Sequence, residues 1–78
     1  IWKVRGEVRI IGYTDNSEND KWYLSIKRAS RVLDFFLKNR NIEPSRFTII
    51  GYADTKPLFP NSNETNRSKN RRIEIYIE

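Results

Sequence analysis

The chain has 78 residues, of which 37% are hydrophobic, and a formal net charge of +5 from 15 Lys+Arg against 10 Asp+Glu. That length makes one small domain with a modest core, and the clustering of its apolar residues argues against disorder despite a mean hydropathy of -0.77. Without Cys or His, a disulfide framework, a thiolate metal site and an ordinary zinc site are excluded; no apolar stretch approaches the roughly 18 residues of a membrane span, and no signal peptide is visible.

Residues 1 to 11 place Val8 and Ile10 on one face with Arg9 between them, which predicts a strand. Gly12 to Asp20 is rich in Gly, Asn, Asp and Ser and reads as a loop. Residues 21 to 40 predict the one long helix: Ala29, Val32, Leu33, Phe36 and Leu37 fall at i, i+3, i+4, i+7 and i+8, while Arg28, Arg31, Asp34 and Lys38 lie off that stripe. The helix is expected to stop near Asn39 to Asn41, ahead of Pro44.

Phe47 to Ile50 predicts a second strand ended by Gly51. Residues 51 to 65 read as a long loop in which Pro57 and Pro60 bar regular structure. Asn66 to Asn70 fits a short polar helix, and the alternation of Ile73, Ile75 and Ile77 with Glu74, Tyr76 and Glu78 gives the clearest strand pattern. The order β-α-β-α-β predicts a parallel first pair joined by a right-handed crossover, with the helices covering a shared sheet face. The fold class is therefore α/β, an α+β sandwich with helices packed on a small mixed sheet.

The charged residues offer a site and a bland alternative. Asp15 follows the first strand, where ligands bind in open α/β sheets, but Asp is also a common turn or helix cap. Arg28 borders the apolar stripe. It could grip a carboxylate with two parallel hydrogen bonds, remain a solvated helix charge, or form a surface pair with Asp15 of small energetic value. Arg67, Lys69, Arg71 and Arg72 form a basic cluster that could contact an anion or pair with Glu64 or Glu74. On a strand, Arg71 and Arg72 point to opposite faces, so only one can serve a pocket. Trp22 and Tyr23 read as core or rim packing rather than a ligand platform.

The net charge favours anionic partners without choosing among them. Basic residues interleaved with aromatics could stack bases, but no RNA-binding aromatic strand pattern is present. Catalysis has thin support: Ser25 has no base at a familiar spacing. Asp15 and Asp54 could form an acid pair, although the echo of Gly12-Tyr13-Thr14-Asp15 in Gly51-Tyr52-Ala53-Asp54 fits two strands ending in similar loops. No enzyme, cofactor or metal is expected.

Four blocks together resemble a known family, the peptidoglycan-binding domain shared by the OmpA C-terminal region, the Pal lipoprotein and the flagellar stator protein MotB. They are Gly12-Tyr13-Thr14-Asp15, Leu24-Ser25-Ile26-Lys27-Arg28-Ala29, Gly51-Tyr52-Ala53-Asp54 and Asn70-Arg71-Arg72-Ile73-Glu74. The resemblance spans Val8 to Ile77. Within the family the stator proteins look closest, through Trp22 before Leu24-Ser25, through Asp54-Thr55-Lys56-Pro57 with Pro60-Asn61, and through the run Asn66 to Arg72.

The resemblance implies the OmpA-like fold for residues 1–78, here as a fragment lacking the strand and helix that normally precede the first block; the start at Ile1 without Met fits that expectation. It implies non-covalent anchoring to peptidoglycan through the meso-diaminopimelate of the stem peptide. Asp15 would hold the ligand's ammonium and Arg28 its carboxylate. Thr14 and Leu24 would line the pocket and Arg71 would add positive charge, with Tyr13, Asn16, Lys21 and Arg67 as secondary residues. The implied setting is the periplasmic part of an inner-membrane-anchored stator subunit, a homodimer partnered by an ion-channel subunit, with no nucleic acid. The family alternative is the tail of an OmpA- or Pal-type outer-membrane protein. Two departures stand out: Tyr13 replaces the usual His, and Lys21 stands where Asn is common, close enough to repel a ligand ammonium.

Overall fold

The computed structural model describes residues 6–39 and 42–78. The expectations for residues 1–5 of the first strand and for the helix end at residues 40 and 41 lie outside the described residues.

Among the described residues, three strands form one mixed sheet in the order β2-β1-β3, with β1 at Val8–Gly12, β2 at Phe47–Gly51 and β3 at Ile73–Ile77. The strand β1 runs parallel to β2, with Val8 opposite Phe47 and Gly12 opposite Gly51, and antiparallel to β3, with Val8 opposite Ile77 and Gly12 opposite Ile73. The parallel pair is joined by the helix α1, Lys21–Asn39, as the β-α-β order predicts.

Alternation decides what each face of β1 meets. Val8 and Ile10 are fully buried and form the core with Ala29 and Phe36 of α1 and with Ile42. Val32, Leu33, Phe47, Ile49 and Ile73 pack around them, and the Phe36 and Phe47 rings lie 5.9 Å apart. The opposite face carries Arg9 beside Tyr76 and Ile11 beside Glu74, with Tyr13 continuing the row just beyond the strand.

The helix stripe holds at Ala29, Val32, Leu33 and Phe36, but Leu37 is exposed, as are Trp22 at 58% and Tyr23 at 67%. The expectation of core or rim packing for Trp22 and Tyr23 is corrected by these exposures. Both lie on the turn where α1 begins, ahead of Ser25, the first residue by which the helix is buried.

A 3-10 turn at Pro44–Arg46 leads into β2; the preset φ of Pro44 suits its first position. The second helix, α2, is Glu64–Asn70, two residues longer at its start than the sequence suggests. Asn63 accounts for the difference: its side-chain oxygen accepts from the Asn66 amide at 2.8 Å, capping the helix there. Long helix α1 covers the sheet face as expected. In α2 there is no apolar side chain, and its one buried residue is Asn70.

Candidate functional site

The site is built where β1 and β2 end side by side. Gly12 and Gly51 are register partners, and both let α1 come close. A Cβ on Gly12 would collide with the backbone carbonyl of Ser25, and one on Gly51 would meet the Ser25 hydroxyl and the Ile26 side chain. The echoing Gly-Tyr blocks are thus two adjacent strand ends beneath one helix. The loops beyond them are stitched together, Thr14 N–H donating to the Ala53 carbonyl at 2.8 Å and Tyr52 N–H to the Gly12 carbonyl at 3.1 Å. Ala53, fully buried, accepts a left-handed φ of 54° to make that bond.

Asp15 is fully buried at the end of this loop. One carboxylate oxygen accepts from the Ser17 amide and hydroxyl, both at 2.7 Å, and the other from Arg71 Nη1 at 2.6 Å. Burial raises its pKa, but the Ser17 hydroxyl, the Arg71 guanidinium and the Ser17 amide outweigh it and bring the group down to about 2. Asp15 is therefore a carboxylate throughout the neutral range.

Arg28 projects from α1 toward the same loop. Its Nη1 donates to the Tyr13 carbonyl at 3.0 Å and to Glu18 Oε1 at 2.9 Å, and its Nη2 donates to Glu18 Oε2 at 2.5 Å. Glu18 Oε1 also accepts from the Asp15 amide at 3.2 Å. Asp15 and Arg28 accordingly belong to one cluster, joined through Glu18. Neither the solvated-charge reading of Arg28 nor a direct pair with Asp15 is what forms.

The two arginines of the last block separate, although not on a strand as expected: Arg71 caps α2, and β3 begins only at Ile73. Arg71 turns to Asp15 and also reaches Glu64 at 2.6 Å. Arg72 turns the other way: its guanidinium lies 3.6 Å from the centre of the Tyr13 ring, and its Nε donates to Glu74 at 2.7 Å. Arg67 pairs with Glu64 at 3.3 Å, so it is linked to Arg71 through Glu64 and to Asp15 through Glu64 and Arg71. Thus every arginine of this cluster has a carboxylate partner, which is the bland alternative for its charge.

Tyr13 brings only its backbone carbonyl to the Arg28 side. Its ring is buried, 5.8 Å from the Tyr52 ring and beneath Arg72, and its hydroxyl donates to Glu74 at 3.1 Å. Burial first, and then that hydrogen bond, pushes the phenol up to about 12. Thr14 is buried, and its hydroxyl has no hydrogen-bond partner among the described residues. Leu24 is half-buried in the first turn of α1; its amide donates to the Asp20 carbonyl at 2.8 Å. Asn16 is exposed and Lys21 half-buried, and neither side chain has a hydrogen bond or ion pair among the described residues.

Two residues escape recognition in the sequence. Glu18 sits in a stretch that reads only as a loop, and its carboxylate three positions after Asp15 is the available signal. Asn70 reads as part of a motif, yet it is fully buried and accepts from the Leu58 and Phe59 amides while donating to the Phe59 carbonyl and to Asn61. It fixes the loop that precedes α2. Among the described residues, no group of acidic side chains is arranged to hold a metal ion, and no helix is long and apolar enough to cross a membrane.

A small mixed sheet lies beneath one long helix, with Asp15 and Arg28 near the carboxyl ends of its parallel strands, the place where open α/β sheets bind their ligands. The OmpA family matches residues 3–71, and the chain belongs to that family. It is 36% identical over 74 residues to motility protein B of Bacillus subtilis, covering 87% of this chain and 28% of that protein. It is 36% identical over 72 residues to the peptidoglycan-binding protein ArfA of Mycobacterium tuberculosis, covering 90% of this chain and 22% of that protein. The chain therefore spans less than a third of either relative.

Among solved structures, the C-terminal domain of Helicobacter pylori MotB superposes with a TM-score of 0.84 at 28% identity, over 92% of this chain and 57% of that one. The cell wall anchor of the T6SS from Pseudomonas aeruginosa gives 0.83 at 35% identity, over 92% and 54%. The expected OmpA-like fold and kinship to MotB are borne out. The chain is an OmpA-family domain, related to motility protein B and similar in fold to the MotB C-terminal domain and to the T6SS cell wall anchor.

Proposed function

We propose that this domain anchors its parent protein to the cell wall by holding the meso-diaminopimelate of the peptidoglycan stem peptide without covalent chemistry. The observation that carries this reading is the gathering of Asp15 and Arg28, residues 13 apart in sequence, into one hydrogen-bonded cluster at the ends of β1 and β2. A diaminopimelate side-chain centre carries an ammonium and a carboxylate on one carbon. Asp15 offers that ammonium an acid, and Arg28, with Glu18 bound to it, stands beside it for the neighbouring carboxyl group. The buried hydroxyl of Thr14, without a partner among the described residues, supports a site that is completed from outside. Leu24 and Arg71 stand as lining and added positive charge, with Tyr13, Asn16, Lys21 and Arg67 at the margin.

Kinship to motility protein B favours a flagellar stator subunit as the parent. The domain would then lie in the periplasm, belong to a homodimer anchored in the inner membrane, and work beside an ion-channel subunit. A second reading has its own support: the chain is 37% identical over 73 residues to outer membrane porin F of Pseudomonas fluorescens, which favours an outer-membrane parent with the same wall-binding role. Neither reading needs turnover, since many weak sites on one polymer add through avidity. A nucleic-acid module is less well supported, because Arg67, Arg71 and Arg72 are each paired with a carboxylate.

The test is co-sedimentation with purified sacculi, comparing the wild type with Asp15→Asn and Arg28→Ala. Wild type in the pellet, with both folded variants left in solution, is the expected result. Equal pelleting of all three would reduce the attraction to bulk charge, and failure of the wild type to pellet would overturn the reading.

A further inference from the structure

Glu18 occupies the carboxylate grip of Arg28. Both of its oxygens accept from the two terminal nitrogens of that guanidinium, at 2.9 and 2.5 Å, so the bidentate face is filled from within the chain. The arrangement is mostly enclosed, with side-chain exposures of 26% for Arg28 and 18% for Glu18. It is also held from both ends. Glu18 Oε1 accepts from the Asp15 amide, and the Asp15 carboxylate holds the intervening Ser17 by its amide and hydroxyl.

A filled grip bears on which ligand the site accepts. We propose, resting on the stem-peptide reading of the site, that Glu18 sets its selectivity. It favours a diaminopimelate centre that presents an ammonium and a carboxamide over one that presents an ammonium and a free carboxylate. A free carboxylate arriving at Arg28 meets a filled fork. It must either displace Glu18 from a loop tied at three points or lie beside it as a like charge. The formal charges of Asp15, Glu18, Arg28 and Arg71 cancel, so within that cluster no cation is left over for a ligand carboxylate, and only Lys21 at the margin is without an ion pair among the described residues. A carboxamide reverses this interaction. Its N–H groups donate to the free lone pairs of Glu18, its carbonyl needs no countercharge, and the adjacent ammonium gains a second acid beside Asp15. Selectivity of this kind comes from a repulsive element as much as an attractive one.

The experiment is isothermal titration of the protein with two synthetic stem tripeptides. They differ only in whether the diaminopimelate centre ends in a free acid or a carboxamide. Wild type, Glu18→Gln and Glu18→Ala are compared, each checked for fold by circular dichroism and for retention on sacculi. The wild type is expected to bind the carboxamide at least about tenfold more tightly, since a like-charge contact is costly. Both variants are expected to gain about tenfold for the free acid as Arg28 is released. Wild type that binds the free acid as tightly as the carboxamide, or a preference that survives both substitutions, overturns the role of Glu18 while leaving wall binding intact. If neither peptide binds any of the three proteins and none is retained on sacculi, the stem-peptide reading falls and this inference with it.

Discussion

The carboxylate of Asp15 and the guanidinium of Arg71 meet at 2.6 Å across 56 residues of chain, tying the end of the first strand to the start of the last. Asp15 is fully buried, so the pair stabilises the fold only while the acid is ionised. Its pKa lies at about 2, against an ordinary value of 3.8. A depressed folded pKa gives stability that is complete above the unfolded value and lost as pH falls through the folded one. That contribution amounts to about 2 kcal/mol, disappearing between about pH 4 and pH 2. The urea midpoint of the wild type, followed across that window, should fall more steeply than that of Asp15→Asn. Glu74 is lowered by Arg72 and titrates in both proteins, while Glu64 shares Arg71 with Asp15, so the comparison is made in a Glu64→Gln background to isolate Asp15. Parallel curves would show that the buried pair contributes nothing.

Gly12 and Gly51 sit opposite one another but tolerate change unequally. The Cβ of Gly12→Ala meets the Ser25 backbone, which cannot rotate away, whereas the Cβ of Gly51→Ala meets the side-chain atoms Ser25 Oγ at 2.5 Å and Ile26 Cγ1 at 2.6 Å first and backbone only at the Ile26 nitrogen, 3.1 Å away. Overpacking of this kind costs about 1–3 kcal/mol and sometimes more. Gly12→Ala is expected at or above the top of that range and Gly51→Ala below it, as read from urea denaturation midpoints. The reverse order would mean that α1 shifts as a body rather than resisting at Ser25.

Asn70→Ala removes four hydrogen bonds from a residue with no exposed surface. It leaves the Leu58 and Phe59 amides without an acceptor, at a penalty of about 1–3 kcal/mol for each group left buried. Leu58 and Phe59 side chains are themselves exposed, so water can reach the opened loop and soften the loss to about 2 kcal/mol in total. Amide hydrogen exchange should quicken at Leu58 and Phe59 while the α1 amides keep their protection. Unchanged exchange at those two amides would count against this account of the loop.

Tyr13 supplies a prediction at the alkaline end. Its phenol is pushed up to about 12, by burial and then by donation to Glu74. A raised folded pKa contributes stability below the unfolded value of 10.0 that is lost as pH rises from there toward 12. In a tyrosinate absorbance titration, Tyr13→Phe should remove a step near pH 12. Glu74→Gln should lower that step, together with that of Tyr76, which the same carboxylate shifts in the same direction. A titration unaffected by Glu74→Gln would place the phenol elsewhere.

Much of the architecture is legible in the residues because period decides burial. The alternation of Val8 and Ile10 and the Ala29-to-Phe36 stripe each fix one face that the structure buries, whereas of the β3 isoleucines only Ile73 packs against the core and Ile75 and Ile77 stay exposed. Arg71 and Arg72 show where such reasoning stops. Both precede β3, Arg71 as the cap of α2, so which one meets Asp15 depends on how α2 hands over to β3 beside the buried Asn70 that ends the helix. Glu18 is out of reach for a related reason. Its partner depends on how the 13–20 loop curls back over α1, through the Asp15–Ser17 turn and the left-handed φ of 50° at Asp20, and a run of polar residues does not disclose that path. Asn70 inverts the ordinary rule that polar helix positions face water, so composition points away from it.

The placement of β1 has a mechanical consequence. A load applied to the loop beyond Gly12 enters the sheet through its middle strand, which is hydrogen-bonded to β2 on one side and β3 on the other. A pull along that strand must slide it past both neighbours at once, straining all of those backbone bonds together instead of peeling an edge away one bond at a time. The loop bearing Asp15 is thereby fastened to the strand of this sheet that is braced on both edges.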